Sequence, residues 1–138
     1  MHRVFVYGTL KRGFRNHRYV EIADFVGEAY TVAAYRMLDG RFPVLREVGP
    51  NPKQIGGEVY DVDNRTLAQL DDLEDVASGM YDRDEIDVML VTPSNAEASR
   101  AFIYIGCGDY WDKKEMVPYL ATDRLGHLNW FAPNMRSK

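Results

Sequence analysis

Cysteine, histidine and long apolar runs are scarce in this chain, and each scarcity removes a class of function. Cys107 is the only cysteine among 138 residues, so no internal disulfide can form, and the usage fits a reducing compartment. The three histidines, His2, His17 and His127, are far apart and show no helical ligand spacing. With one thiol beside them, no metal site is expected and no cofactor is called for. No apolar stretch approaches the roughly 20 residues of a membrane span, and no signal-peptide core precedes the first strand, so the expectation is a cytoplasmic protein without a membrane partner. Neither nucleotide loop pattern, G-x-x-x-x-G-K-[ST] or G-x-G-x-x-G, can be read. There is no G-x-S-x-G elbow, and Cys107 has no histidine near it in sequence, so nucleophilic Ser or Cys chemistry has no support. Repeats and low-complexity segments are also missing.

The residues that are present, 46% hydrophobic and 28% charged, describe an ordinary soluble protein. The length fits one domain over positions 1–138 with a core of its own. A formal net charge of −4 argues against nucleic acid as the main partner, because such binding rests on neutralising phosphates. Lys11, Arg12, Arg15 and Arg18 form a local basic stretch, but no aromatic stacking repeat accompanies it, and it reads as a solvated loop.

The most informative segment is Val4-Phe5-Val6-Tyr7-Gly8-Thr9-Leu10-Lys11-Arg12-Gly13. Its apolar start is too short and too apolar on both faces for an edge strand, which places it inside a sheet. Gly8 then opens dihedrals closed to other residues. The amides from Gly8 through Leu10 would point beyond the strand end, and such free donors bind phosphate or carboxylate without a basic side chain. A plain turn around Gly8 and Gly13 is the competing reading.

Further along, a short helix is expected over His17 to Ala23 and a strand or bent strand pair over Gly27 to Leu38. Phe42 to Leu45 reads as an edge piece because of Pro43, and Gly49 to Pro52 as a turn. Gly57 to Val62 alternates with period two, after which Asp63 or Asn64 caps a helix running to Glu74. A loop over Asp75 to Gly79 leads to an alternating stretch from Tyr81 to Val91. Asn95 to Ser99 should turn the chain into a last strand, Ala101 to Ile105, followed by an irregular tail with a helical turn or two near Lys113 to Leu120. Strands outnumber helices and several connections are too short for helical crossovers. The fold class is therefore α+β, a mixed sheet curled into a small barrel with one main helix and short flanking ones.

Leu67, Leu70 and Glu74 stand at i, i+3 and i+7 and share one face of that helix. If the leucines face the core, Glu74 is brought to the buried side. The negative end of the helix dipole and the neighbours Asp71, Asp72 and Asp75 further disfavour its ionisation. A raised pKa suits a carboxyl group that must both take and give a proton. The competing reading ends the helix a residue early, with Glu74 in solvent or paired with Arg83. Asp71 and Asp72 themselves read as a solvated acidic face. A glycosidase would pair Glu74 with Asp71 or Glu58, but nothing fixes that separation. One carboxyl suffices when the substrate carries its own nucleophile.

The opening run with Asn16-His17, Gly57-Glu58-Val59-Tyr60 with Val62-Asp63, and Leu70-Asp71-Asp72-Leu73-Glu74 with Tyr81 and Arg83 together resemble the gamma-glutamylcyclotransferase-like family over about positions 3–105. The first motif is most similar to the gamma-glutamylamine cyclotransferase and avirulence-induced-gene-like branch. The resemblance implies a small mixed barrel with flanking helices, no cofactor, and cleavage of a gamma-glutamyl amide to 5-oxoproline and a free amine. It implies Glu74 as the catalytic acid/base and Tyr7, Gly8, Thr9 and Leu10 as the substrate cradle. Tyr81 and Tyr104 are candidates to close or line the pocket, with aromatic core packing as the favoured reading of each. The implied partner is a small gamma-glutamyl compound; a non-catalytic module binding a small carboxylate or peptide end is the alternative. Two departures stand out: Asp75 follows Glu74 where many members have glycine, and Ser78-Gly79-Met80-Tyr81 is more similar to the branch acting on gamma-glutamyl amino acids. The tail from Asp109 matches nothing specific.

Overall fold

The computed structural model describes residues 1–39, 43–47, 52–107, 111 and 117–130. Five strands close a barrel: β1 (His2–Val6), β2 (Asp24–Thr31), β5 (Gly56–Val62), β6 (Tyr81–Val91) and β7 (Ala96–Gly106), in the order β1-β5-β2-β6-β7. Four contacts are antiparallel, and the ring closes where β1 runs parallel to β7 with Val4 opposite Phe102. A smaller sheet of β4 (Pro43–Arg46), β3 (Arg36–Asp39) and β8 (Val117–Pro118) lies in the order β4-β3-β8. The helix α1 (Asn64–Leu73) follows β5.

β1 is buried on both faces, as its composition requires. Phe5 joins a cluster fed by every barrel strand, with Ala29, Val59, Val88 and Ile103. Val4 and Val6 face the other way, among Leu67 and Leu70 of α1, Val44 and Tyr104. The strand end is thus held between two apolar layers, and the loop that follows it starts from a fixed point. Gly57 sets how closely β1 and β5 approach: a Cβ there would lie 2.3 Å from the Val6 carbonyl oxygen and 2.8 Å from Phe5 Cζ. Neither strand can retreat without losing its ladder. Gly57→Ala is expected to cost about 1–3 kcal/mol, read by chemical denaturation, and unchanged stability would contradict this register.

The segment over Gly27 to Leu38 holds two strands, β2 and β3, separated between Thr31 and Arg36 and belonging to different sheets. β4 does occupy an edge of its sheet, with Pro43 opposite Asp39. Three expectations need correction. His17–Tyr19 forms a single 3-10 turn in place of a helix reaching Ala23, and none of its residues is buried. β7 begins at Ala96, so the turn occupies Thr92 to Asn95 and only the first residue of the expected Asn95–Ser99 lies on it. Its first residues carry little strand propensity of their own; pairing with β6 recruits them, and Arg100 bridges Asp87 and Glu85 across the hairpin. In the tail, Val117–Pro118 pairs with β3 instead of forming helix, and Tyr119, Leu128 and Trp130 are core residues. Residues 113–116, and all but Pro52 of the turn expected over Gly49 to Pro52, lie outside the described residues. Among the described residues no helix is long and apolar enough to cross a membrane.

Candidate active site

Beyond the end of β1 lies a cavity of about 200 Å³. Phe5, Val6 and the loop Tyr7 to Leu10 form one wall, and Leu73 and Glu74 at the end of α1 form another. Met80, Tyr81, Tyr104, Pro43, Arg15 and Asn16 complete it. Every site residue expected from the sequence, Tyr7, Gly8, Thr9, Leu10, Glu74 and Tyr81, is brought to this one space, although the two walls are more than sixty positions apart in the chain.

The loop has a defined shape. Lys11 N–H donates to the Gly8 carbonyl at 3.0 Å, closing a tight turn. Asn16 then clamps Thr9 twice, its backbone N–H donating to the Thr9 carbonyl at 3.0 Å and its Nδ2 to Thr9 Oγ1 at 2.9 Å. His17 Nδ1 lies 2.9 Å from the Leu10 carbonyl oxygen. These bonds use the loop's carbonyls; among the described residues, no hydrogen bond runs from the N–H groups of Gly8, Thr9 or Leu10 to the chain. Three adjacent donors are thereby left for a ligand, the arrangement that favours an anion. Gly8 is required by Pro43, whose Cγ would stand 2.7 Å from a Cβ at that position. The Asn16-His17 pair is thus a loop clamp, a role its seven-residue distance from Thr9-Leu10 does not reveal.

The opposite wall depends on α1. Asp63 caps it, its Oδ1 accepting from the Thr66 N–H at 2.7 Å, and Leu67 and Leu70 are buried as their spacing predicts. The helix ends at Leu73, a residue earlier than expected, with Glu74 as its C-cap and its N–H donating to the Leu70 carbonyl at 2.9 Å. Asp75 then takes a φ of 54°, the left-handed conformation in which glycine is unstrained. The early end does not release Glu74: it remains half-buried and lines the cavity.

Its carboxyl is pushed up to about 7 by desolvation. The acidic neighbours expected to contribute do not account for this shift. Asp72 and Asp75 are exposed to water, and Asp71 is compensated by its own partners. Tyr7 and Tyr104 hydroxyls are held well above the usual phenol range, Tyr7 by burial and then by the Glu74 charge, Tyr104 by burial and then by its bond to Asp71. Both are neutral donors at physiological pH. Tyr7 donates to the Tyr104 carbonyl at 2.6 Å, so its hydroxyl is committed to the wall. Tyr81 is buried, its ring edge-on to Trp111 at 5.2 Å, and the Trp111 indole N–H fixes the adjoining Met80 carbonyl at 2.7 Å.

Asp71 is not part of a solvated face. Its Oδ2 accepts from Arg83 at 2.6 Å and its Oδ1 from the Tyr104 hydroxyl at 2.7 Å, which joins α1 to β6 and β7 behind the cavity. Arg83 is therefore the partner of Asp71 and not of Glu74. Asp71→Ala leaves a half-buried guanidinium and a phenol without their acceptor; a loss of about 1–3 kcal/mol is expected in denaturant unfolding, and a stability equal to the parent would show the pair to be idle. Glu58 accepts from the Arg12 N–H and the Tyr60 hydroxyl, each at 2.9 Å, and does not line this cavity. The glycosidase pairing of Glu74 with Asp71 or Glu58 is thus not formed. The histidines lie apart: His2 meets Asn64, His17 lies beside Tyr60, and His127 stacks on Tyr30.

Comparison with known proteins places the chain in a family. A Vibrio cholerae protein, provisionally assigned as a gamma-glutamylcyclotransferase, is 43% identical over 105 residues, covering 75% of this chain and 81% of its own. Gamma-glutamylaminecyclotransferase A of Danio rerio is 34% identical over 135 residues, covering 90% and 83%. The crystal structure of an AIG2-like protein from Mus musculus superposes with a TM-score of 0.71 at 28% identity, covering 97% of this chain and 98% of that one. Residues 4–123 match the family described as gamma-glutamyl cyclotransferase, AIG2-like, a span that includes both walls of the cavity and the barrel between them. The chain belongs to the gamma-glutamyl cyclotransferase, AIG2-like family.

Proposed function

We propose that the protein is a cyclotransferase that cleaves gamma-glutamyl amides, releasing 5-oxoproline and a free amine. The observation that carries this reading is one cavity with three free backbone donors on one wall and a desolvated carboxyl on the other. A gamma-glutamyl group presents an α-carboxylate, an α-amine and a γ-carbonyl on a short flexible chain, and this pair of walls is matched to its two ends.

In the proposed reaction the amides of Gly8, Thr9 and Leu10 hold the α-carboxylate. Held there, the neutral α-amine reaches its own γ-carbonyl, so the nucleophile is supplied at high effective concentration by the substrate itself. A bond forms between the α-nitrogen and the γ-carbon, and the bond from that carbon to the amide nitrogen breaks. Glu74 as carboxylate takes the proton shed by the attacking nitrogen and then gives it to the departing one. No water is consumed, and the products are a five-membered lactam and an amine. An ordinary exposed glutamate would be almost wholly ionised at neutral pH and a poor acid; at about 7, Glu74 serves in both directions. Tyr81 and Tyr104 shape the wall beside it.

A panel of gamma-glutamyl amides, assayed for 5-oxoproline, tests the reading. Release from at least one member is expected. Binding of these compounds without turnover of any would favour a non-catalytic module for small carboxylates.

A further inference from the structure

The four cations of the opening basic stretch have different uses. Lys11 is buried, its Nζ donating to Asn129 Oδ1 at 2.5 Å and to the Trp130 carbonyl at 2.8 Å. Arg12 pairs with Glu58 at 3.6 Å and lies over the Phe25 ring at 4.1 Å. Arg18 lies over Tyr19 at 5.0 Å and donates to the Arg15 carbonyl at 3.4 Å. Arg15 alone of the four lines the cavity, and among the described residues its guanidinium has no ion-pair, hydrogen-bond or ring partner. Its backbone is fixed, because the following residue, Asn16, is clamped to Thr9. The side chain is exposed, so it stands at the open end of the cavity.

We propose that Arg15 is a specificity-determining residue that selects gamma-glutamyl amides whose leaving amine carries a carboxylate. This rests on the cyclotransferase reading above. The α-carboxylate of the glutamyl half already has three backbone donors at the strand end, deeper in the site. The portion of the substrate that projects toward solvent is the leaving group, and there it meets a planar cation suited to bidentate carboxylate binding. Among the described residues, Glu74 is the only side chain of the cavity wall besides Arg15 that carries charge near neutral pH, so no second described cation competes for that anion. An amino acid or peptide leaving group supplies the matching charge; a simple alkylamine does not.

The test uses gamma-glutamylalanine and gamma-glutamylethylamide, which differ by the leaving-group carboxylate, with the wild type, Arg15→Gln and Arg18→Gln. The wild type should favour gamma-glutamylalanine. Arg15→Gln should lower kcat/KM for that compound about fivefold, through KM, with the ethylamide unchanged, as loss of one exposed charge pair implies. Arg18→Gln should alter neither, and added salt should shrink the wild-type preference. An equal effect of Arg15→Gln on both substrates would place Arg15 on the glutamyl half and overturn the inference, as would no effect on either. If the wild type releases 5-oxoproline from neither compound nor from any other member of the panel, the cyclotransferase reading fails by itself. Calorimetric binding of the same two compounds then decides the role of Arg15: a preference lost in Arg15→Gln supports it, and one retained overturns it.

Discussion

Glu74→Gln is expected to lower turnover of a gamma-glutamyl amide by about a hundredfold to ten-thousandfold while the protein stays folded. The size follows from what the amide side chain lacks. Glutamine fills the same volume and can still hydrogen-bond, so substrate contacts and KM should change little. It cannot take a proton from the α-amine or return one to the departing nitrogen, and among the described residues no other carboxyl lines the cavity to substitute for it. The fold should not suffer, because Glu74 makes no ion pair among the described residues and its charged form is desolvated. A variant with near-wild-type kcat would remove Glu74 from the chemistry; a variant that fails to fold is excluded by comparing circular dichroism and midpoint of unfolding before kinetics.

The second large effect is a dependence on pH that appears in both rate and stability. Only the carboxylate of Glu74 can accept the proton, and its pKa lies at about 7, so kcat/KM expressed per neutral-amine substrate should fall tenfold for each pH step below that value and about a hundredfold by pH 5, protonation of the substrate α-amine lowering the uncorrected rate further. Stability should move in the opposite direction. The folded carboxyl keeps its proton up to about 7, whereas the unfolded one releases it near the ordinary value of 4.5. Between those values the native state binds more protons, so this group makes the protein less stable as pH rises and contributes no further slope above about 7. The wild type should therefore lose on the order of 3 kcal/mol relative to Glu74→Gln between pH 4.5 and pH 8. Parallel unfolding curves for the two proteins across that range would show that Glu74 titrates as an ordinary surface acid.

Local patterns carried the parts of this molecule that depend on local causes. The alternation over Gly57 to Val62, the Asp63 cap and the leucine face of α1 are each fixed within a few residues, and each is found in place. The cavity followed from two such patterns, an apolar strand ending at Gly8 and a glutamate in register with Leu67 and Leu70. What depends on distant partners was not legible. Ala96 to Arg100 carries no strand signal, and it is a strand because β6 lies beside it. Trp130, Tyr119 and Leu128 looked like an irregular tail, yet they fill the core, since what buries them is the barrel and not their neighbours in sequence. Asp71 looks solvated in sequence because its partners Arg83 and Tyr104 stand twelve and thirty-three positions away. The same holds for the raised Glu74 pKa: nearby acids in sequence add little where a cation or water already compensates them, and desolvation is the cause.

The account turns on the claim that the substrate attacks itself and water does not, and labelling tests this most directly. A gamma-glutamyl amide that the wild type turns over is incubated in oxygen-labelled water, and the acyl product is identified by mass spectrometry. Intramolecular closure predicts 5-oxoproline without label, formed by the wild type and nearly absent with Glu74→Gln. Glutamate carrying the label would mean that Glu74 activates water, and would contradict the account.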